Sequence, residues 1–213
     1  MLIKGPNYLA LFAKSFNWAG FFLPKDTYEE CSKLYAFCRV LDDIADANQL
    51  LKIKKERFKK IKETLKEIEH LKKNDLQTYT FERHQVIISD MIVVSENKKI
   101  PELVIKDLVD GVESDLREEI KIKTEKELLI YSYRVAGTVG LMMAKILDVN
   151  DKRALKGAID LGIAMQLTNI ARDVIEDHKM NRQYIKFDFE NIKSTLKLAD
   201  KFYESAFSSI KKI

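Results

Sequence analysis

Residues 160–177 read DLGIAMQLTNIARDVIED, a stretch in which polar side chains recur every three or four residues along an apolar helical pattern. This spacing places one polar stripe along the predicted helix. The stripe consists of Gln166, Asn169, Asp173 and Asp177. Asparagine is a poor helix former, which indicates that Asn169 is present for its side chain, and Arg172 stands beside the acids. The stretch therefore predicts an apolar helix with one face rich in oxygen donors.

A second stretch, residues 35–46 (YAFCRVLDDIAD), repeats this arrangement. Asp42 and Asp46 share a helix face, with Arg39 and Tyr35 one and two turns earlier. Carboxylates in apolar surroundings need a proton, an arginine or a metal ion to neutralise them, and oxygen ligands without His or Cys suit a hard ion such as Mg²⁺. Either stretch alone is compatible with a solvated acidic face. Two such stripes on facing helices would form a clamp in which Mg²⁺ joins carboxylates to a diphosphate.

Helical periodicity extends over most of the remaining chain. The 213 residues contain three prolines and seven glycines, and no stretch shows the period of two that marks a strand. Capping-box patterns at Thr27 and Thr124 predict two helix starts, and the second acidic helix is expected to run to about His178. The sequence therefore predicts an all-α fold that forms a single domain over residues 1–213.

The stretch 135–140, VAGTVG, places two glycines inside an apolar helical pattern. Each glycine within a helix costs about 1 kcal/mol relative to alanine, a cost that is tolerable where the backbone must approach something closely. Close packing of two helices is one interpretation, and close approach by an apolar ligand is the other. The spacing alone does not separate them.

Charge and cysteine content narrow the class of protein. Thirty-seven Lys and Arg against 33 Asp and Glu give a formal charge of +4, without the concentrated basic surface of a nucleic-acid binder. Cys31 and Cys38 would lie too far apart along one helix for a disulfide. No signal peptide or membrane-spanning run is visible. The sequence predicts a cytoplasmic protein that binds no nucleic acid.

Five strings of this sequence, in this order, resemble motifs of the squalene/phytoene synthase family, the head-to-head prenyl synthases. They are AKSFNWAGFFLP (13–24), YAFCRVLDDIAD (35–46), YSYRVAGTVGLMM (131–143), DLGIAMQLTNIARDVIED (160–177) and NRQYI (181–185). The second and fourth resemble the two Asp-rich motifs of the family, and the third resembles its central helix. The combination of VAGTVGLMM with QLTNIARDVIED is most similar to the bacterial phytoene synthase branch.

The resemblance implies a fold and a reaction. The implied fold is an isoprenoid-synthase-type helical bundle around a central apolar cavity. The implied reaction is the Mg²⁺-dependent, head-to-head condensation of two geranylgeranyl diphosphates to phytoene in carotenoid biosynthesis. It proceeds through a cyclopropylcarbinyl diphosphate intermediate. Mn²⁺ is the alternative ion, and no NADPH is expected, unlike in squalene formation.

The resemblance also implies roles for individual residues. The metal ligands would be Asp42, Asp46, Asn169, Asp173 and Asp177. The diphosphate contacts would be Lys14, Ser15, Tyr35, Arg39, Gln166 and Arg172. The prenyl cavity would be lined by Tyr131, Val135, Ala136 and Gly140. The four aspartates and Tyr131 are the expected catalytic residues.

The C-terminal end departs from the family pattern, because the chain ends with LADKFYESAFSSIKKI (198–213), where the resemblance implies further helices. One alternative, motivated by these missing helices, is a non-catalytic homologue that acts as an assembly or scaffold protein. A second alternative stays open because substrate length depends on side chains at the cavity floor: a synthase that uses farnesyl diphosphate and makes squalene, dehydrosqualene or a presqualene-type product. Aromatic residues clustered between positions 12 and 22 also allow peripheral contact with a membrane, and the oligomeric state stays open.

Overall fold

The computed structural model describes Trp18, Gly20, residues 22–70 and residues 83–210. The chain forms two compact units, Met1–Pro101 and Glu102–Ile213. Apart from turns and one pair of two-residue strands, the described residues are helical, so the all-α prediction is confirmed. No described helix combines the length and the apolarity that crossing a bilayer requires. The expected single domain and its central cavity stay predictions.

Three helices build the described part of the first unit. They are α1 (Lys25–Asp46), α2 (Leu51–His70) and α3 (Arg83–Asn97). Their apolar residues recur at helical spacing, so each helix buries one stripe against the other two. The largest fully buried side chains of this unit are Leu34, Phe37, Leu41, Phe58, Ile88, Met91 and Val94. This core fixes the C-terminal half of α1, which carries the first acidic stretch.

The start of α1 differs from the prediction. Pro24 is the N-cap residue, with φ −54° and ψ 146° and no side-chain cap, and the Tyr28 N–H donates to the Pro24 carbonyl at 2.9 Å. Proline has no N–H to satisfy and a backbone angle already suited to a helix start. Thr27 therefore lies inside the first turn, and the capping box predicted there is wrong.

The second unit contains more and shorter elements. They are α4 (Glu102–Glu113), β1 (Ile120–Lys121), α5 (Glu125–Ser132), a π-helical segment (Tyr133–Gly137), α6 (Thr138–Ile146), α7 (Lys152–Arg172), α8 (Val174–Lys179), β2 (Arg182–Gln183) and α9 (Phe189–Ile210). The capping box at Thr124 is confirmed. Its hydroxyl accepts the Glu127 N–H at 3.2 Å, and the Glu127 carboxylate accepts the Thr124 N–H at 3.2 Å.

Helix α7 is the centre of the second unit and packs along α9, α6 and the π-helical segment. Its core side chains Ile163, Leu167 and Ile170 are buried together with Leu128 and Tyr184. In the first half of α7, the buried Asp160 accepts a hydrogen bond from Ser205 of α9 at 2.6 Å. Asp160 also forms an ion pair with Lys156. These contacts fix the helix that carries the second acidic stretch.

The glycines of the VAGTVG stretch lie at a close helix crossing. A Cβ atom on Gly140 would lie 2.1 Å from the Ala158 carbonyl oxygen of α7. In the reverse direction, a Cβ atom on Gly162 of α7 would lie 2.3 Å from the Ala136 carbonyl oxygen. Gly140 and Gly162 therefore let the backbones of the two helical segments come into contact, which supports the packing interpretation of Gly140. Whether Gly140 also lines a prenyl cavity stays a prediction.

Replacing Gly140 by alanine is expected to destabilise the protein despite the better helix propensity of alanine. The methyl group meets backbone, which cannot move aside without separating α6 from α7, and overpacking of this kind costs about 1–3 kcal/mol. We expect a fall of roughly 5–10 °C in melting temperature. Gly137→Ala is the matched control, because its new methyl meets only side-chain atoms, at 3.1–3.3 Å. An equal loss in both variants would contradict the backbone contact.

Candidate active site

The first acidic stretch lies at the C-terminal end of α1. Asp42, Asp43 and Asp46 are exposed there, and the last turn of α1 contains no basic residue. Carboxylates at this end meet the negative pole of the helix dipole, which disfavours them. Arg39, half-buried one turn earlier, pairs with Asp43 at 2.8 Å, and Tyr35 is half-buried. The Lys54 ammonium donates to the Ala45 carbonyl at 2.7 Å, so the protein itself already supplies some positive charge at the end of α1.

The second acidic stretch is not one continuous helix. α7 ends at Arg172, and Asp173, with φ −98° and ψ 14°, separates it from α8. The expectation of a single helix to about His178 is therefore wrong. Hydrogen bonds nevertheless continue across the break, from the Asp173 N–H to the Asn169 carbonyl at 2.8 Å and from the Asp177 N–H to the Asp173 carbonyl at 2.9 Å. The predicted stripe thus survives with a bend at its centre.

Asp173 and Arg172 form a two-point ion pair. The Arg172 Nε and Nη2 atoms donate to the two Asp173 carboxylate oxygens, each at 2.6 Å. This pairing lowers the pKa of Asp173 and raises the pKa of Arg172. Gln166 and Asn169 are half-buried on the preceding turns of α7. Asp173 is therefore an ionised oxygen donor with a guanidinium at its side, a pairing suited to phosphate groups.

The pKa of Asp177 is shifted in the opposite direction from that of Asp173. Burial is the largest cause that raises its pKa to about 6; the negative charges of Asp173, Asp115 and Glu176 contribute to this rise, and Arg182 opposes it. The ionised carboxylate is therefore poorly compensated by the protein. A divalent cation would supply the missing positive charge.

Tyr131 belongs to a hydrogen-bonded triangle that the sequence did not reveal. Its hydroxyl lies 2.8 Å from one Asp115 oxygen and 3.1 Å from the Tyr184 hydroxyl. The Tyr184 hydroxyl donates to the other Asp115 oxygen at 3.0 Å. Burial, followed by the Asp115 charge, raises the pKa of both phenols. Asp115 lies in the turn between α4 and β1 and outside both acidic stripes, so the spacing of those stripes could not have indicated it.

The short strand pair places Tyr184 against Tyr131. β1 and β2 run parallel, with Ile120 opposite Arg182, and the Ile120 N–H donates to the Asn181 carbonyl at 3.0 Å. The residue after β2 is Tyr184, whose ring stacks on that of Tyr131 with centroids 4.7 Å apart. The NRQYI string is thereby joined to the helix of the YSYRVAGTVGLMM string.

The remaining predicted residues are placed less specifically. Val135 and Ala136 are half-buried in the π-helical segment, a widened helical turn that is frequent at functional sites. The hydroxyl of Ser132, directly before it, is fully buried and lacks a hydrogen-bond partner among the described residues. Lys14 and Ser15 lie outside the described residues.

The donor set fits a hard divalent ion that is also bound by substrate. Within residues 22–70 and 83–210, no group of three or more Asp, Glu, His or Cys side chains could bind a metal by itself. Each acidic stretch instead offers two spaced aspartates, and the second adds the amide oxygen of Asn169. Mg²⁺ is typically bound by one or two carboxylates, with phosphate oxygens and water completing its six positions. The poor compensation of Asp177 supports the same ion.

Comparison with known proteins identifies the family of this chain. A family model described as squalene/phytoene synthase matches residues 9–185. A 15-cis-phytoene synthase of Paracoccus sp. is 33% identical over 178 residues, 83% of this chain and 57% of the relative. A 4,4'-diapophytoene synthase of Staphylococcus haemolyticus is 36% identical over 174 residues, 81% of this chain and 58% of the relative. The chain thus spans less than two thirds of the length of these relatives.

Solved structures give the same fold. A crystal structure of a dehydrosqualene synthase in complex with ligand has a TM-score of 0.70 and 27% identity, and the match covers 95% of this chain and 74% of that one. A squalene synthase from Alicyclobacillus acidocaldarius has a TM-score of 0.63 at 16% identity, over 93% of this chain and 77% of that one. The isoprenoid-synthase-type helical fold is confirmed by these matches.

Proposed function

The chain belongs to the squalene/phytoene synthase family, and from this premise we propose that it joins two prenyl diphosphates head to head. The proposed substrate is geranylgeranyl diphosphate, and the proposed product is phytoene, an intermediate of carotenoid biosynthesis. The observation that carries the proposal is the second acidic stripe, where an ionised Asp173 paired with Arg172 lies one turn from a poorly compensated Asp177. In that arrangement a divalent cation would compensate Asp177, and the exposed Arg172 guanidinium is accessible to diphosphate oxygens.

The acidic residues of both stretches are the proposed ligands of Mg²⁺. They are Asp42, Asp46, Asn169, Asp173 and Asp177. Bound Mg²⁺ supplies positive charge that makes diphosphate a better leaving group. Mn²⁺ offers the same charge and oxygen preference. The reaction transfers no hydride, so the proposal includes no NADPH.

Side chains next to the acids are the proposed diphosphate contacts. Arg172 presents a planar guanidinium that binds two phosphate oxygens as readily as the Asp173 carboxylate. Gln166 offers an amide N–H from the same stripe, and Arg39 and Tyr35 offer donors from α1. Lys14 and Ser15 complete the proposed set. These donors orient the substrate and neutralise charge on the departing diphosphate.

The proposed reaction has two ionisations. Loss of diphosphate from the first substrate leaves an allylic cation, the double bond of the second substrate attacks it, and proton loss closes a cyclopropylcarbinyl diphosphate. Loss of the second diphosphate, rearrangement and loss of another proton then give phytoene. Two substrates thus become one hydrocarbon, two diphosphates and two protons. The proposed roles of Tyr131, Val135, Ala136 and Gly140 are to line the prenyl cavity and keep water from the cations.

Farnesyl diphosphate is the second candidate substrate. Two comparisons favour it, because the relative from Staphylococcus haemolyticus is named a 4,4'-diapophytoene synthase and the solved structure at 27% identity is a dehydrosqualene synthase. Both names denote synthases whose reaction is the same head-to-head condensation on shorter chains. The acidic stripes would have the same roles with either substrate.

A panel of prenyl diphosphates tests the proposal. Purified protein is incubated with Mg²⁺ and either geranylgeranyl or farnesyl diphosphate, and products are identified by mass spectrometry after extraction. We expect phytoene from the first substrate at a higher rate than any hydrocarbon from the second. A preference for farnesyl diphosphate would replace the substrate assignment. Absence of every hydrocarbon and of the cyclopropyl intermediate, from folded protein, would refute the function.

A further inference from the structure

Asp115 is a half-buried acid that belongs to neither acidic stripe. It lies in the turn after α4, and its carboxylate oxygens contact Tyr131 of α5 at 2.8 Å and Tyr184 after β2 at 3.0 Å. Three separate segments of the second unit therefore meet at one carboxylate. A carboxylate that accepts two phenol hydrogens has strong, charge-assisted hydrogen bonds and little freedom to move.

The number of hydrogens shared by Asp115, Tyr131 and Tyr184 determines which of their oxygens donate hydrogen bonds and which accept them. Three oxygen–oxygen contacts of 2.8–3.1 Å connect the three groups, but the two phenols carry only two hydrogens. When both hydroxyls donate to Asp115, neither has a hydrogen left for any other acceptor. Each phenol oxygen is then an acceptor only, made more electron-rich by its bond to a carboxylate.

The rings restrict the triangle further. Tyr184 is 6% exposed, and its ring stacks on the Tyr131 ring with an angle of 24° between the planes. The stacking fixes the ring of Tyr131, and Asp115 fixes its hydroxyl. Tyr131 therefore has one orientation, close to the acid-rich end of the second stripe, where Asp115 acts electrostatically on Asp177.

We propose that Asp115 and Tyr184 are positioning residues that hold the Tyr131 hydroxyl in place as an acceptor-only oxygen. The inference rests on the proposed function, in which Tyr131 lines the cavity where allylic cations form. An electron-rich phenol beside a developing cation stabilises it through its oxygen and its ring, whereas a free phenol would rotate and donate its hydrogen elsewhere. Asp115 thus acts on the reaction through Tyr131.

The test is a double-mutant cycle on turnover. Asp115→Asn keeps the shape of the side chain but introduces an amide N–H₂ that donates, so one tyrosine must reverse its hydrogen bond. We expect kcat to fall about 10–100-fold, the range typical of a lost supporting partner, with KM for the prenyl diphosphate nearly unchanged. Tyr131→Phe should give a similar loss. The double variant should be no slower than the slower single variant, because both changes remove one arrangement.

Two further variants distinguish loss of the positioning role from a general loss of structure. Tyr184→Phe keeps the stacked ring and removes one hydroxyl, so we expect a smaller fall in kcat than for Asp115→Asn. Asp107→Asn is the matched control, because Asp107 accepts a hydrogen bond from Tyr133 and pairs with Arg134 at 3.7 Å in the same unit but outside the triangle. Its kcat should stay within about twofold of the original protein.

The possible results separate the two proposals. If the original protein is active and the losses of Asp115→Asn and Tyr131→Phe multiply in the double variant, the positioning role is overturned while the proposed function stands. If the original protein makes no product from any prenyl diphosphate, the proposed function and the positioning role both fail. The melting temperatures of the original protein, the two single variants and the double variant then still test the contact within the triangle. If the two single losses of stability do not add in the double variant, Asp115 and Tyr131 interact.

Discussion

Alanine at either Asp42 or Asp173 is expected to lower the rate of hydrocarbon formation at least about 1,000-fold, or ~4 kcal/mol in transition-state stabilisation. The reason is that each change removes one of the few carboxylates proposed to bind the metal. At position 173 the change has two effects. The proposed metal site loses a donor, and the Arg172 side chain loses the carboxylate that fixes it at 2.6 Å.

The measurement compares steady-state rates with far-ultraviolet circular dichroism of the same samples. Both aspartates are at least partly exposed, so helix content and melting temperature should change little while the rate falls. Asp200→Ala is the control, because Asp200 is an exposed acid on α9 outside both stripes, and its rate should match that of the original protein. A near-normal rate in Asp42→Ala or Asp173→Ala would contradict the metal assignment.

Asp177→Asn is expected to move stability and activity in opposite directions. Loss of this proposed metal donor should lower the rate at least about 100-fold. At pH 7, however, the amide removes an ionised carboxylate whose pKa is raised by burial and by neighbouring acids. Because the group is half-exposed, water screens much of the unfavourable charge. We expect a melting temperature about 1–3 °C higher than that of the original protein.

The pH dependence of this stabilisation follows from the sign of the shift. The Asp177 pKa is about 6 in the folded chain and about 3.9 in an unfolded one, so the folded state binds the proton more tightly. The contribution of Asp177 to the stability of the original protein therefore falls as pH rises from 4 to 6. The advantage of Asp177→Asn should be absent below pH 4 and complete above pH 6. Melting curves that show no advantage at pH 7, without added metal, would contradict the proposed environment of Asp177.

Helix periodicity predicts most of the fold because burial of one apolar stripe per helix dominates the packing. The helix ends are harder to predict. The same capping-box pattern predicts the start at Thr124 correctly and at Thr27 incorrectly, because Pro24 had already begun α1. The bend at Asp173 could not be predicted either, because the i to i+4 spacing of the stripe is the same in a straight helix and in a bent one.

Contacts between segments that are distant in the sequence could not be predicted from helical periodicity. The spacing of Gly137 and Gly140 leaves packing and ligand approach equally open, and only the position of the Ala158 carbonyl decides for packing at Gly140. Asp115 belongs to no periodic pattern, and its importance appears only when Tyr131 and Tyr184 are found on its two oxygens. Periodicity describes one helix at a time, whereas these features depend on which segment lies opposite.

Both acidic stripes are proposed to bind diphosphate through a divalent metal, and calorimetry tests this binding without requiring turnover. Inorganic diphosphate is titrated into the folded protein with and without Mg²⁺, and then into Asp42→Ala and Asp173→Ala. After subtraction of a titration without protein, we expect heat of binding only when Mg²⁺ is present, and we expect each variant to lose it. Binding that is indifferent to Mg²⁺ or to both substitutions, or no binding at all, would contradict the proposed metal–diphosphate site and favour a non-catalytic scaffold.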